Sequence, residues 1–114
     1  MVFEKNLNIP RLLDIYGDLL TERQKTLTDI YYNDDLSLSE IAENEGITRA
    51  GARDIIKKAE NKLLEFENVL HVLRDSDLRN SVCDEIAEMC DSACGNNDFE
   101  KILDDIKQKI NELR

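Results

Sequence analysis

Two helix-capping boxes and a glycine turn, in that order between Leu20 and Ala59, constrain this chain more than anything else in it. Thr21 is followed three residues later by Gln24. In that arrangement the hydroxyl accepts from an orphan backbone N–H and the amide reaches back to the cap. A helix is therefore expected to begin near Glu22. Leu27, Ile30 and Tyr31 fall on one face at spacings of three and four, and Asn33-Asp34-Asp35 stops the pattern near Tyr32. Ser37 and Glu40 make the second box and open a short helix through Ile41 and Ala42. Gly46 stands where a left-handed cap requires a residue without Cβ, and Thr48 caps the helix after it. A connection this short forces its two helices to cross steeply. Ile47 then plugs the corner, small Ala42 allows close approach, and Ile41, Ala52 and Ile55 or Ile56 fill the shared core. Such an order of signals describes a helix-turn-helix.

Elements on either side extend the same logic. Pro10 suits the first turn of a helix whose apolar stripe is Leu12, Leu13, Tyr16, Leu19 and Leu20, which predicts a first helix running to Leu19 or Leu20 with Gly17 inside it. Beyond the turn, Ala52, Ile56, Ala59, Leu63, Phe66, Leu70 and Leu73 alternate spacings of four and three, the seam of a coiled coil. One unbroken helix from Arg49 to about Leu73 is expected, about 37 Å long. Asp75-Ser76-Asp77 reads as a break, with Ser76 or Asp77 capping a helix that carries Leu78, Val82, Ile86, Met89 and Ala93 and ends at Gly95-Asn96-Asn97. Asn97 with Glu100 would cap a last helix bearing Phe99, Leu103, Ile106, Ile110 and Leu113. Six helices and no strands make the class all-α. Residues 1–73 form the helix-turn-helix domain with its long fourth helix, and residues 74–114 a C-terminal helical pair that packs or dimerises as part of it. Three coiled-coil-like stripes point to the interlocked end of a homodimer; folding back within one monomer is the alternative.

Length and composition bound the rest. At 114 residues the chain has room for one domain with a modest core. Its longest charge-free stretches, Asn68 to Leu73 and Ser92 to Asn97, fall far short of the roughly 18 residues of a membrane span. Glu4 and the lack of an apolar segment near the start argue against a secretion signal, and a cytoplasmic protein is expected. Cys83, Cys90 and Cys94 are an odd number, which speaks against a disulfide framework. They are expected as small buried packing residues.

No catalytic constellation emerges. His71 is the sole histidine and is expected as a partly buried helix residue beside the seam. Cys90 and Cys94 share a helix face but lack the further soft ligands of a metal site. There is no glycine-rich phosphate loop and no activated serine motif. Carboxylates such as Asp104-Asp105, Glu43 and Glu45 fall on polar faces with nothing to set an acid and a base apart. The expectation is a protein that is not an enzyme, with no cofactor and no metal.

Binding is the remaining class. In a reader of DNA, the first turns of the second motif helix enter the major groove. Arg49, Arg53 and Lys57 recur there every four residues as a basic ridge, with Lys58 beside it and Lys62 further on. These five are the candidate nucleic-acid-binding residues, holding phosphates or reading guanine through arginine. They equally suit a solvated helix face offset by Asp54 and Glu60. Ala50 and Gly51 offer no long donor or acceptor for reading a base, and Asp54 repels phosphate. The net charge of −10 is spread over both halves, which disfavours broad electrostatic attachment. Contact with a sugar-phosphate backbone is thus easier to support than operator recognition.

The blocks LTERQ, LSLSEIA and GITR resemble the fourth region of bacterial sigma factors. LLDIYGDLLTERQ at Leu12 to Gln24, YYNDDLSLSEIAE at Tyr31 to Glu43, and the spacing of Asp54, Ile56 and Lys57 after GITR more closely resemble the YlxM-like proteins. The resemblance covers about 60 residues of the N-terminal half. It implies a sigma-region-4-like helix-turn-helix linked to the signal recognition particle pathway. On that basis the expected role is a regulatory accessory binding the particle's protein or RNA. A DNA-binding transcription regulator is the alternative, and a sigma-like adaptor of RNA polymerase follows from the more distant likeness.

Overall fold

The structure is a computed structural model that describes residues 5–93 and 99–113. It contains α1 (Ile9–Tyr16), α2 (Glu22–Asn33), α3 (Leu38–Glu45), α4 (Arg49–Leu70), α5 (Val72–Ala93) and α6 (Phe99–Glu112), with no strand among the described residues. The chain divides into two compact units, Met1–Leu73 and Arg74–Arg114.

In the first unit both capping boxes close in full. Thr21 Oγ1 accepts from the Gln24 N–H at 3.2 Å while Gln24 Oε1 accepts from the Thr21 N–H at 3.2 Å. Ser37 and Glu40 repeat the exchange at 3.1 and 3.3 Å. Between them Asp35 takes a left-handed conformation, φ 55°, a geometry that aspartate tolerates better than most side chains. Gly46 sits at φ 66°. The Gly46 N–H donates to Glu43 O at 3.4 Å and the Ile47 N–H to Ala42 O at 3.0 Å, the paired bonds of a Schellman cap. Thr48 Oγ1 then accepts from the Gly51 N–H at 2.9 Å to start α4. Thus α3 and α4 form the helix-turn-helix.

The first helix is shorter than its stripe. Its α-helical hydrogen bonding stops at Tyr16, and Gly17–Leu19 tighten into a single 3-10 turn in place of the expected run to Leu19 or Leu20. Leu20 must be extended, with ψ 162°, to lead into the Thr21 cap, and the tighter turn makes that exit. Gly17 is buried there, and a Cβ on it would touch the Leu13 and Lys25 side chains at 3.4 and 3.5 Å.

Helix α4 serves two cores, which accounts for its length. Its early residues Ala52 and Ile56 join Leu27, Tyr31, Leu38, Ile41 and Ala42. One and two turns later, Ala59 and Leu63 join Ile9, Leu12, Leu13, Tyr16, Leu20 and Leu73. Tyr32 packs against both clusters. Ile47 and Ile55 are half-buried at the edge of the motif core.

Two expectations fail at the end of α4. The helix stops at Leu70, the chain turns at His71 with φ 57°, and α5 begins at once with Val72, running through Asp75-Ser76-Asp77 without a break. His71 is therefore the turn itself and lies outside both helices. Leu70 is 52% exposed, while Leu73 is buried but belongs to α5. The cause is tertiary. Tyr16 Oη accepts from the Val72 N–H at 3.2 Å and donates to Glu67 Oε1 at 2.8 Å. Glu67 Oε1 also accepts from the Leu73 N–H at 2.9 Å. The first donors of α5 are thus capped by residues 56 and 6 positions earlier, so no local Ser or Asp cap is needed. Tyr16→Phe should cost about 1–2 kcal/mol, measured by urea unfolding, since it leaves a backbone N–H and a carboxylate each short of one partner.

In the second unit, Val82 is buried, and Ile86 and Met89 are half-buried, along α5. Glu85 meets Lys109 of α6 at 2.7 Å. No residue of α6 is fully buried, and Leu78, Phe99, Leu103 and Ile110 are exposed despite their seam-like spacing. Cys83 and Cys90 are exposed free thiols, which corrects the expectation of buried packing. A buried cysteine needs a covered face, and Cys83 and Cys90 stand about 100° round the helix from the buried Val82 and the half-buried Met89. The Gly95-Asn96-Asn97 stop, the Asn97 cap, Cys94 and the side chain of Ala93 lie outside the described residues.

Candidate nucleic-acid interface

The helix-turn-helix presents the start of α4 outward. Arg49, Arg53, Lys57, Lys58 and Lys62 are all exposed, together with Ala50 and Asp54. At about 100° per residue, Arg49, Arg53 and Lys57 drift by only about 40° each and share one edge. Lys58 lies about 100° beyond Lys57, and Lys62 about 40° beyond that. The five cations therefore stand on two edges of the helix, with Asp54 between them. Lys58 Nζ is 3.1 Å from Asp54 Oδ2, so the second edge is partly neutralised by the helix itself.

Behind the first edge lies a buried acid. The Glu60 side chain is 6% exposed, and its Oε2 is 3.8 Å from Lys57 Nζ. The Tyr32 hydroxyl donates to Glu60 Oε1 and accepts from the Asn6 N–H at 3.3 Å. Tyr31 stands edge-on to Tyr32, with ring centroids 5.2 Å apart. Lys5 Nζ donates to Tyr31 O at 2.8 Å and lies 4.4 Å from the centre of the Tyr31 ring. Burial pushes the Tyr31 hydroxyl above its ordinary value, with the Glu60 charge adding to the shift and Arg49 opposing it. Burial also raises Tyr32, and its hydrogen bond to Glu60 raises it further.

Glu60, expected as a surface counter-charge, is instead buried, and Lys5, Tyr31 and Tyr32 are neighbours of the ridge that its spacing does not announce. One signal was available for Glu60. It sits directly after Ala59 and four after Ile56, at the edge of the buried stripe. Lys5 carried none, because its contacts are with residues 26 and 30 positions away.

A raised phenol makes the fold sensitive to alkali. Tyr32 has a higher pKa folded than unfolded, so its contribution is complete below the unfolded value of about 10 and is lost as pH rises through and above it. Urea stability should therefore fall above pH about 10, and Tyr32→Phe should flatten part of that fall.

Chemically, the first edge can hold phosphate oxygens through two guanidiniums and an ammonium. Base reading is poorly served. Ala50 has no polar group, and Gly51 is committed to the cap, since a Cβ there would stand 3.1 Å from Thr48 Oγ1. Among the described residues no three His, Cys, Asp or Glu side chains are grouped to hold a metal ion. Nor is any described helix long and apolar enough to cross a membrane.

The fold and this surface define an all-α helix-turn-helix protein. Residues 3–106 match the family described as UPF0122, "Putative helix-turn-helix protein, YlxM / p13 like", and the chain belongs to that family. A UPF0122 protein of Clostridium kluyveri is 38% identical over 107 residues, covering 94% of this chain and 96% of the relative. One from Clostridium acetobutylicum is 35% identical, covering 96% and 97%. One from Streptococcus gordonii is 40% identical over 88 residues, covering 77% and 80%. The family is a helix-turn-helix family, and its description names no catalytic activity.

Proposed function

We propose that this chain is a non-enzymatic regulatory accessory of the signal recognition particle pathway, binding the particle's RNA or protein through its helix-turn-helix surface. One observation carries the binding half of the proposal: Arg49, Arg53 and Lys57 share an exposed edge at the start of the second motif helix. That edge supplies charge for a phosphate backbone but few groups for reading bases, which favours a folded RNA over an operator. Lys58 and Lys62 add a second, weaker contact line. The particle enters through the likeness of Leu12 to Gln24 and Tyr31 to Glu43 to the YlxM-like proteins. The protein acts in the cytoplasm on this reading. The same ridge supports a second reading, a DNA-binding transcription regulator, because it stands where such proteins meet the major groove.

Binding to the particle RNA, to its GTPase and to random duplex DNA, each across a salt series, separates the two. Affinity for a particle component at least about tenfold above that for duplex DNA is expected. Tight duplex binding with no affinity for either particle component would overturn the accessory role and leave the DNA regulator.

A further inference from the structure

A carboxylate is buried behind the edge of α4 that carries Arg49, Arg53 and Lys57. Glu60 follows Arg53 by seven residues, so it falls within about 20° of the same line of the helix and about 10 Å further along. Its side chain is 6% exposed, with Oε2 3.8 Å from Lys57 Nζ. Glu60 and Arg49 also act with opposite sign on the Tyr31 hydroxyl, which sets both charges around one phenol. Two of the three ridge cations therefore share their surroundings with this acid.

The fold has no need of the charge. Glu60 Oε1 accepts from the Tyr32 hydroxyl, a bond that an amide oxygen makes equally well. Burying a carboxylate costs more than burying an amide, and the 3.8 Å separation from Lys57 is too long for a hydrogen bond that would offset the difference. What the carboxylate adds is its field on the edge. We infer that Glu60 limits the affinity of this edge, drawing on Lys57 and opposing phosphates that approach Arg49 and Arg53, so that contact with a nucleic-acid backbone stays weak and reversible. The inference rests on the nucleic-acid reading of the edge. Burial gives the charge its reach, because a bound backbone and the protein leave little water or salt between Glu60 and the phosphates. Asp54 is the contrast. It is exposed and pairs with Lys58 on the second edge, where solvent screens it.

The test is the affinity of the full chain for an RNA hairpin of random sequence, with circular dichroism to confirm that each variant is folded. Glu60→Gln should bind about fivefold to tenfold more tightly than the wild type, and Asp54→Asn at most about twofold, although each removes one negative charge. Adding Arg49→Glu and Arg53→Glu to Glu60→Gln should abolish the gain. Should the amide disturb the helical signal, Glu60→Met with Tyr32→Phe removes the charge together with its donor and carries the same expected gain. No gain from the neutral variants, or equal gains from Glu60→Gln and Asp54→Asn, would overturn the inference, while a loss of binding in Arg49→Glu with Arg53→Glu would still uphold the edge. If that pair left binding unchanged, the interface reading would fall and the inference with it.

Discussion

Ile56→Ala should destabilise the first unit by about 3–4 kcal/mol, seen as a large drop in urea midpoint with little change in slope. Ile56 is fully buried on α4 and packs in the motif core with Leu27, Ile41 and Ala52. Truncation forfeits the transfer energy of three carbons and leaves a void between helices that caps at Ser37 and Thr48 hold in place. Those helices cannot close the gap without breaking the Gly46 turn, so little of the loss is recovered. A domain of this size has only about 5–15 kcal/mol in total, and the substitution consumes a large share. Ile55→Ala is the internal control. Ile55 is half-buried at the rim of the same core, and its truncation should cost only about 1 kcal/mol.

The combined variant Arg49→Glu, Arg53→Glu and Lys57→Gln should lose at least about a hundredfold in affinity for a nucleic-acid backbone while keeping its helical signal. Lys57 is changed to glutamine for a structural reason. A glutamate there would place a like charge near the buried Glu60 carboxylate, 3.8 Å from the present ammonium, and would mix a folding defect with a binding defect. The companion variant Lys58→Glu with Lys62→Glu should lose less, about fivefold to tenfold. Lys58 already spends part of its charge on Asp54, and both lysines stand on the other edge of the helix. Equal losses from the two variants would mean that binding follows overall charge and not the first edge.

Where local rules act alone, the sequence was readable. The boxes at Thr21 and Ser37, the left-handed Gly46 and the Thr48 cap involve partners within three to five residues, and each formed as expected. The core positions of α4 followed from periodicity, because one face of that helix is buried from Ala52 to Leu63, about three turns. The end of α4 did not. Asp75-Ser76-Asp77 is a sound local stop, yet Tyr16 and Glu67 capped α5 from a distance and moved the break to His71. The seam of α6 was also legible as a pattern, but periodicity states that a face is apolar and not what covers it. At the candidate interface the cations of α4 were evident from their spacing. The buried Glu60, the two tyrosines and Lys5 were not, because that network joins segments 26 to 30 residues apart.

The most direct measurement is the salt dependence of nucleic-acid affinity for the wild type and the Arg49→Glu, Arg53→Glu, Lys57→Gln variant. Three cations displacing counterions from phosphates should contribute about −2 to −3 to the slope of log affinity against log salt, and the variant should lose that contribution, keeping only the smaller part due to Lys58 and Lys62. A wild-type slope near zero, or a slope that the variant leaves unchanged, would contradict a nucleic-acid interface on this edge of α4.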